Sequence, residues 1–217
     1  MNFEQARFNM IEQQIRTWEV FDQAVLELLT RVPREDFVPV QYRQLAFTDM
    51  CLPLAQGEEM MPPRVEARIL QALNIKASDT VLEIGTGSAY LTALLASLAR
   101  HVYSVDIHSE FTESARSKLA EHNIHNVSLE TADAAQGWPK QAPYDVIVIT
   151  GSMPVFPEKL KQDLNIGGRL LVITGDSPAM EVNLITRVGN QDWTQEVLFE
   201  TDIPPLKNAP EPERFKL

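Results

Sequence analysis

The sequence predicts an α/β fold: a doubly wound, mostly parallel sheet, preceded by a helical extension and followed by an antiparallel hairpin. Three observations lead there. From Thr80 onward short apolar strands alternate with apolar-faced helices, the pattern of right-handed βαβ units. The run Val146 to Ile149 is continuously apolar, as a central parallel strand buried on both faces should be. Val81 to Ala89 reads as strand, glycine turn and helix start, the context of a ligand-binding loop.

The elements follow in order along the chain. Met10, Ile11 and Ile15, then Val25, Leu26, Leu28 and Leu29, recur at helical spacing. They predict amphipathic helices over about 4–17 and 22–31, the second capped by Asp22 and ended by Pro33. Five prolines from Pro33 to Pro63, with no long periodic stretch, predict an ordered wrap of loops anchored by Phe37, Val38, Phe47 and Leu52. Pro62-Pro63 opens a helix whose buried face carries Val65, Ile69, Leu70 and Leu73. Strands are predicted over 80–84, 101–106, 126–130, 145–150 and 169–174, with helices over 90–98, 109–121 and 157–164. Gly167-Gly168 reads as a turn, and 182–188 and 196–201 flank Gly189-Asn190 as a hairpin. The last ten residues are polar and proline-marked and are expected to be mobile. Residues 1–79 are expected to form an extension packed on the sheet and 80–217 the core, together one compact unit.

Composition narrows the function classes. With 44% hydrophobic and 23% charged residues in 217, the chain can build a sizeable core, which excludes disorder and collagen-like repeats. Nineteen basic against 30 acidic residues give a formal charge of −11, which repels phosphate backbones and anionic lipid. No dense basic patch offsets it, so neither nucleic acid nor membrane is expected as a partner. One cysteine, Cys51, excludes an intramolecular disulfide, and with four scattered histidines no metal site is expected. The first residues lack the apolar core of a signal peptide, and no apolar run approaches bilayer length, so a cytoplasmic protein is expected.

The chemistry centres on Val81-Leu82-Glu83-Ile84-Gly85-Thr86-Gly87-Ser88-Ala89. Two glycines let the backbone turn sharply and approach a ligand closely. A dinucleotide loop would carry a third glycine where Tyr90 stands, and Glu83 two residues before Gly85 would repel a pyrophosphate. A cofactor with a sulfonium and an amino group would be welcomed, so the loop favours S-adenosylmethionine over NAD. Asp106 ends the next strand, 19 residues after Gly87, where a carboxylate can accept both adenosine ribose hydroxyls. Asp133, in Ala132-Asp133-Ala134, falls on the same sheet edge and could accept the adenine amino group. With Thr86, Ser88, Ile107 and Ala134 these residues make the candidate cofactor site. Trp138 and Tyr144 read as packing, His108 as a surface residue and Cys51 as an unreactive thiol.

These residues and their surroundings resemble the protein-L-isoaspartate O-methyltransferase family. The likeness runs through Val32-Pro33-Arg34-Glu35-Asp36-Phe37-Val38-Pro39, Ala46-Phe47-Thr48-Asp49, Leu52-Pro53-Leu54 and Val81 to Ser88. It continues in Gly137-Trp138-Pro139, Ala142-Pro143-Tyr144-Asp145 and Gly167-Gly168-Arg169-Leu170. It implies a Rossmann-like class I methyltransferase with a seven-stranded sheet, using S-adenosylmethionine to esterify the carboxylate of isoaspartyl residues in damaged protein. The family's glycine, glutamine, threonine, isoleucine, serine, glutamine, proline run is here Gly57-Glu58-Glu59-Met60-Met61-Pro62-Pro63. Glu59 and Met61 stand at the substrate-side threonine and serine and are the candidate catalytic positions. The family's alanine-alanine after the fourth strand is Gly151-Ser152, and its glycine-aspartate-glycine is Ala132-Asp133-Ala134.

The cofactor half is thus kept while the substrate half is rewritten. A carboxylate acceptor is already ionised at neutral pH and needs positioning and exclusion of water rather than a general base. That fits the lack of a Ser–His or Cys–His constellation. A changed protein or small-molecule acceptor, or a module that binds the cofactor without turnover, are the alternatives. Thr150 and Ser152 are expected to face the substrate.

Overall fold

The computed structural model describes residues 2–156 and 158–211. Helix α1 (Phe3–Met10) is capped by Asn2 and runs on as a π-helical turn over Ile11–Ile15 and a 3-10 turn over Arg16–Trp18. The predicted helix over 4–17 is therefore one helical segment with a wide turn inside it, and it stops at Glu19 in the left-handed conformation. Helix α2 (Gln23–Arg31) starts where Asp22 accepts a hydrogen bond from Ala24 N at 2.8 Å. The wrap that follows is a chain of short 3-10 turns and a two-stranded ribbon, β1 (Leu52–Pro53) and β2 (Glu59–Met60). Helix α3 (Pro63–Leu73) has proline at its first position and ends at left-handed Asn74. From α3, Gln71 accepts from Phe21 N and Asp22 N and donates to Glu19 O, tying the α1–α2 connection down.

The core alternates as predicted: β3 (Thr80–Ile84), α4 (Tyr90–Leu98), β4 (His101–Asp106), α5 (Ser109–Glu121), β5 (Val127–Thr131), β6 (Tyr144–Met153) and β7 (Leu164–Asp176). Strands β8 (Ala179–Arg187) and β9 (Trp193–Thr201) close one edge. The seven-stranded sheet has the order β5-β4-β3-β6-β7-β8-β9, parallel through β7 and antiparallel beyond. The chain winds outward from β3 to β5, then returns to the other side of β3 as β6. The carboxyl edge beside β3 is therefore the switch point where open α/β sheets bind ligands.

Side chains alternate across the sheet. Val146, Val148, Leu171 and Ile173 join the core beneath α1–α4, while Ile147, Ile149, Leu170 and Val172 join a second core on the opposite face. Tyr144 is buried there, its hydroxyl donating to Trp138 O at 2.8 Å.

Three expectations change. The helix predicted over 157–164 is a 3-10 helix over Glu158–Asp163; Pro157 lies outside the described residues, and Leu164 already belongs to β7. Gly167-Gly168 turns within β7, where pairing slips from Tyr144–Leu164 to Val146–Arg169. A Cβ on Gly168 would come 2.8 Å from Asn165 O, so the slip needs a glycine. Finally, after β9 the chain crosses the end of β6: Ser152 N donates to Pro204 O at 3.0 Å and Leu206 N to Ser152 O at 2.9 Å. Asn208 and Ala209, within the stretch expected to be mobile, are hydrogen-bonded into this crossing; 212–217 lie outside the described residues.

Candidate active site

Parallel register brings Ile84, Val105 and Ile149 level, so the loops after β3, β4 and β6 leave the sheet side by side. Gly85 N donates to Val105 O at 2.8 Å. Its φ of +99° suits glycine, and a Cβ there would run into Thr150 Oγ1, whose hydroxyl donates to Ile84 O and Gly85 O. Gly87, φ +48°, donates its N–H to Asp106 Oδ2 at 2.9 Å, and His108 N donates to Asp106 Oδ1 at 2.9 Å. Asp106 thus clips the glycine loop to the turn after β4. Each of its oxygens keeps lone-pair capacity for a further donor.

Beneath the loop runs a buried polar chain. Thr86 and Ser104 hydroxyls lie 2.7 Å apart, Ser104 donates to Glu83 Oε2 at 2.6 Å, and Thr92 donates to the same oxygen at 2.5 Å. Glu83 is fully buried, and its Oε1 has no hydrogen-bond partner among the described residues. Burial pushes its carboxyl up to about 8, against the opposing pull of the Ser104 and Thr92 hydrogen bonds.

The cavity at this edge spans about 730 Å³, the open space at its mouth included. Gly85, Gly87, Asp106, Ile107, Asp133 and Ala134 line it. Glu83, Thr86 and Ser88 line a smaller adjoining space of about 300 Å³. Glu59, Met61, Gly85, Gly87 and Thr150 border both spaces. Asp133 accepts from Ala135 N at 3.0 Å and from Asn208 Nδ2 at 2.8 Å, so the tail is tied to the same wall.

A further wall of the cavity is the β1–β2 ribbon. Its turn has Gln56 and Gly57 at positive φ, and Leu54 N donates to Glu58 O at 2.8 Å, which brings Glu58, Glu59 and Met61 to the cavity. Met61 is buried and its carbonyl accepts from Arg34 Nη2 at 2.6 Å. Arg34, wholly buried, also donates to Ala46 O at 2.9 Å, pairs with Glu66 Oε2 and stacks over the Tyr90 ring. Burial raises Glu66 to about 7 while Arg34 pulls it down. Cys51 borders the cavity too, its thiol pushed up to about 11 by burial and by Glu59.

The predicted residues therefore meet at one edge, with corrections to side-chain direction. His108 lines the cavity instead of standing on open surface. Thr150 lines this cavity, whereas Ser152, wholly buried under the tail with its hydroxyl donating to Ile203 O at 3.2 Å, lines the neighbouring space beside Glu58 and Lys207. Sequence reading missed Arg34 as the anchor of Met61, and missed Pro204 to Lys207 as cavity wall. Arg34 beside Pro33 carried no local sign of its 32-residue reach to Glu66. The Pro204-Pro205 pair was the one available sign of a fixed tail.

The model for protein-L-isoaspartate(D-aspartate) O-methyltransferase matches residues 5–209. A protein-L-isoaspartate O-methyltransferase of Rhodopseudomonas palustris is 40% identical over 201 residues, covering 92% of each chain. One of Pelobacter propionicus is 39% identical over 210 residues, covering 96% of this chain and 93% of its own. Among solved structures, a Plasmodium falciparum protein assigned to the same family, in complex with S-adenosyl-L-homocysteine, superposes with TM-score 0.80 at 18% identity, covering 96% of this chain and all of that one.

Proposed function

The chain belongs to the protein-L-isoaspartate(D-aspartate) O-methyltransferase family and is an S-adenosylmethionine-dependent methyltransferase, and from that premise we propose that its acceptor is the free carboxylate of isoaspartyl residues in damaged protein. The observation that carries the reading is that the match spans acceptor side and cofactor side alike, including the rewritten ribbon. The residues present fit the cofactor. Gly85 and Gly87 bring backbone to the cavity wall, Asp106 retains acceptor capacity for ribose hydroxyls, and Asp133 with Ala134 borders the space for adenine. Glu83 Oε1, buried and without a partner among the described residues, is the acceptor we assign to the ammonium end.

When bound, S-adenosylmethionine supplies an electrophilic methyl group on a positively charged sulfur. The chain's own contribution is positional. The acceptor carboxylate needs no base, being ionised at neutral pH. Met61, held by Arg34 through its carbonyl, presents an apolar side chain where the family carries serine, and we assign it to screening the reaction from water, with Glu59 at the rim. Residues 1–79 form, in this reading, the acceptor-side cap on the core of 80–217. Among the described residues no helix is long and apolar enough to cross a membrane, and we place the protein in the cytoplasm.

Labelled methyl transfer to an isoaspartyl peptide, with its aspartyl twin as control, tests the acceptor. Label in the isoaspartyl peptide alone is expected. Label only in other molecules of a cell extract would defeat the acceptor assignment while keeping the enzyme.

A further inference from the structure

A carboxylate acceptor arrives with a negative charge, and the wall it meets is acidic. Glu58, Glu59, Asp106 and Asp133 all line the cavity beside the glycine loop, whereas Lys207 is the one lysine or arginine lining it among the described residues. Asp106 and Asp133 are engaged by N–H donors on both oxygens. Glu58 is held differently. Its Oε1 is buried and accepts no hydrogen bond from the described residues, yet it lies 3.2 Å from Lys207 Nζ and 3.5 Å from His108 Nε2. A carboxylate of the protein itself thus sits among the cationic and imidazole groups of the cavity, in poor geometry.

The lysine is also delivered there by fixed backbone. Leu206 N donates to Ser152 O at 2.9 Å and Asn208 Nδ2 to Asp133 Oδ2 at 2.8 Å, one anchor on each side of Lys207. Its side chain remains about half exposed, 51%, so its pairing with Glu58 is weak and open to exchange. A second carboxylate offering full hydrogen-bond geometry would gain a charge-assisted bond that Glu58 does not make.

We propose that Lys207 is the cation that receives the acceptor carboxylate, and that Glu58 holds its place until substrate displaces it. The inference rests on the carboxylate reading of the function above. It makes Lys207 a substrate-binding residue and Glu58 a built-in competitor that sets the threshold for binding.

The test is initial-rate methyl transfer to an isoaspartyl peptide by wild type, Lys207→Met, Lys207→Arg and Glu58→Gln, with S-adenosylhomocysteine affinity measured alongside by calorimetry. Lys207→Met is expected to raise the peptide KM about tenfold, the scale of one lost hydrogen bond to a charged group, and to lower kcat by less. Lys207→Arg should recover most of that loss, and Glu58→Gln should lower KM below wild type. A Lys207→Met KM within about twofold of wild type, or a Glu58→Gln KM above it, overturns the proposal. So does a parallel loss of S-adenosylhomocysteine affinity in Lys207→Met, which would make the lysine a fastener of the tail. If wild type ignores the isoaspartyl peptide but esterifies another carboxylate, the isoaspartyl reading alone fails, and the same KM ratios on that acceptor decide for or against Lys207. Transfer to an uncharged acceptor overturns both.

Discussion

Glu83, assigned above to the ammonium end of the cofactor, would join the stability of the protein to ligand binding. In the unfolded chain this carboxyl titrates near 4.5; in the fold, burial lifts it to about 8. Between those values the folded form keeps a proton that the unfolded chain has lost, so stability is greatest below the unfolded value and falls as pH rises towards the folded one. Glu66, lifted to about 7, acts in the same direction. The melting temperature of the protein without ligand is expected to fall from about pH 5 to pH 8, and Glu83→Gln to flatten much of that slope. An ammonium beside Glu83 Oε1 would favour the ionised form, so cofactor binding near neutrality should expel a proton. Calorimetry in buffers of different ionisation enthalpy reads that proton; wild type releasing none, or Glu83→Gln releasing as much, would remove Glu83 from the ammonium site. Arg34 is the other residue on which much depends, since it satisfies Glu66, Ala46 O and Met61 O from a wholly buried position. Arg34→Met strands Glu66 and should cost about 3–5 kcal/mol in urea unfolding. Arg34→Lys keeps the charge but cannot span three acceptors, and should loosen Met61 and raise the acceptor KM.

Elements defined by local pattern were legible, and those defined by distant partners were not. Strands β3 and β4 and helices α4 and α5 match their predicted ranges because glycine turns and apolar period act within a few residues. Strands β7, β8 and β9 begin earlier than their apolar runs, since ladder pairing with a neighbour carries polar residues into the strand. The ribbon β1–β2 has two residues on each side, too few for a period to show. The tail crossing showed only in the Pro204-Pro205 pair: its hydrogen bonds, made by Ile203 O, Pro204 O and Leu206 N, reach back some 50 residues to Ser152, beyond the range of any local pattern. Its fit also explains Gly151. A Cβ there would stand 2.8 Å from Leu206 N and 2.9 Å from Leu206 Cα, backbone atoms that cannot step aside singly. Gly151→Ala, at a φ any residue tolerates, should therefore push the tail off the cavity and weaken S-adenosylhomocysteine binding several-fold, with little change in the sheet. An unaltered affinity in that variant would mean the tail does not cover the cofactor.

At the scale of the whole molecule, the formal charge of −11 sets the field that an acceptor must cross. Acidic side chains crowd the same entrance: Glu58, Glu59, Asp106 and Asp133 border the cavity, so the local potential has the sign of the net charge. An isoaspartyl carboxylate is repelled on approach, and Lys207 can compensate only at contact range. What the field attracts is the rest of the substrate. Peptides whose flanking residues are lysine or arginine should be captured faster than peptides with acidic flanks, with kcat nearly the same for both because the chemistry meets the same groups. The contrast must shrink with salt, since a screening length of about 10 Å at 0.1 M falls to about 3 Å at 1 M. Competition between a basic-flanked and an acidic-flanked isoaspartyl peptide, measured as the ratio of kcat/KM from low to high ionic strength, reads this directly. The ratio is expected to favour the basic flank at low salt and approach unity at high salt. A preference that survives high salt would mean the flanks are read by contact instead, and Glu59, exposed at the rim, would be the first residue to neutralise. If Glu59→Gln then abolished the preference, the acidic rim would be a recognition surface for chain sequence around the damaged residue, and not merely part of a diffuse field.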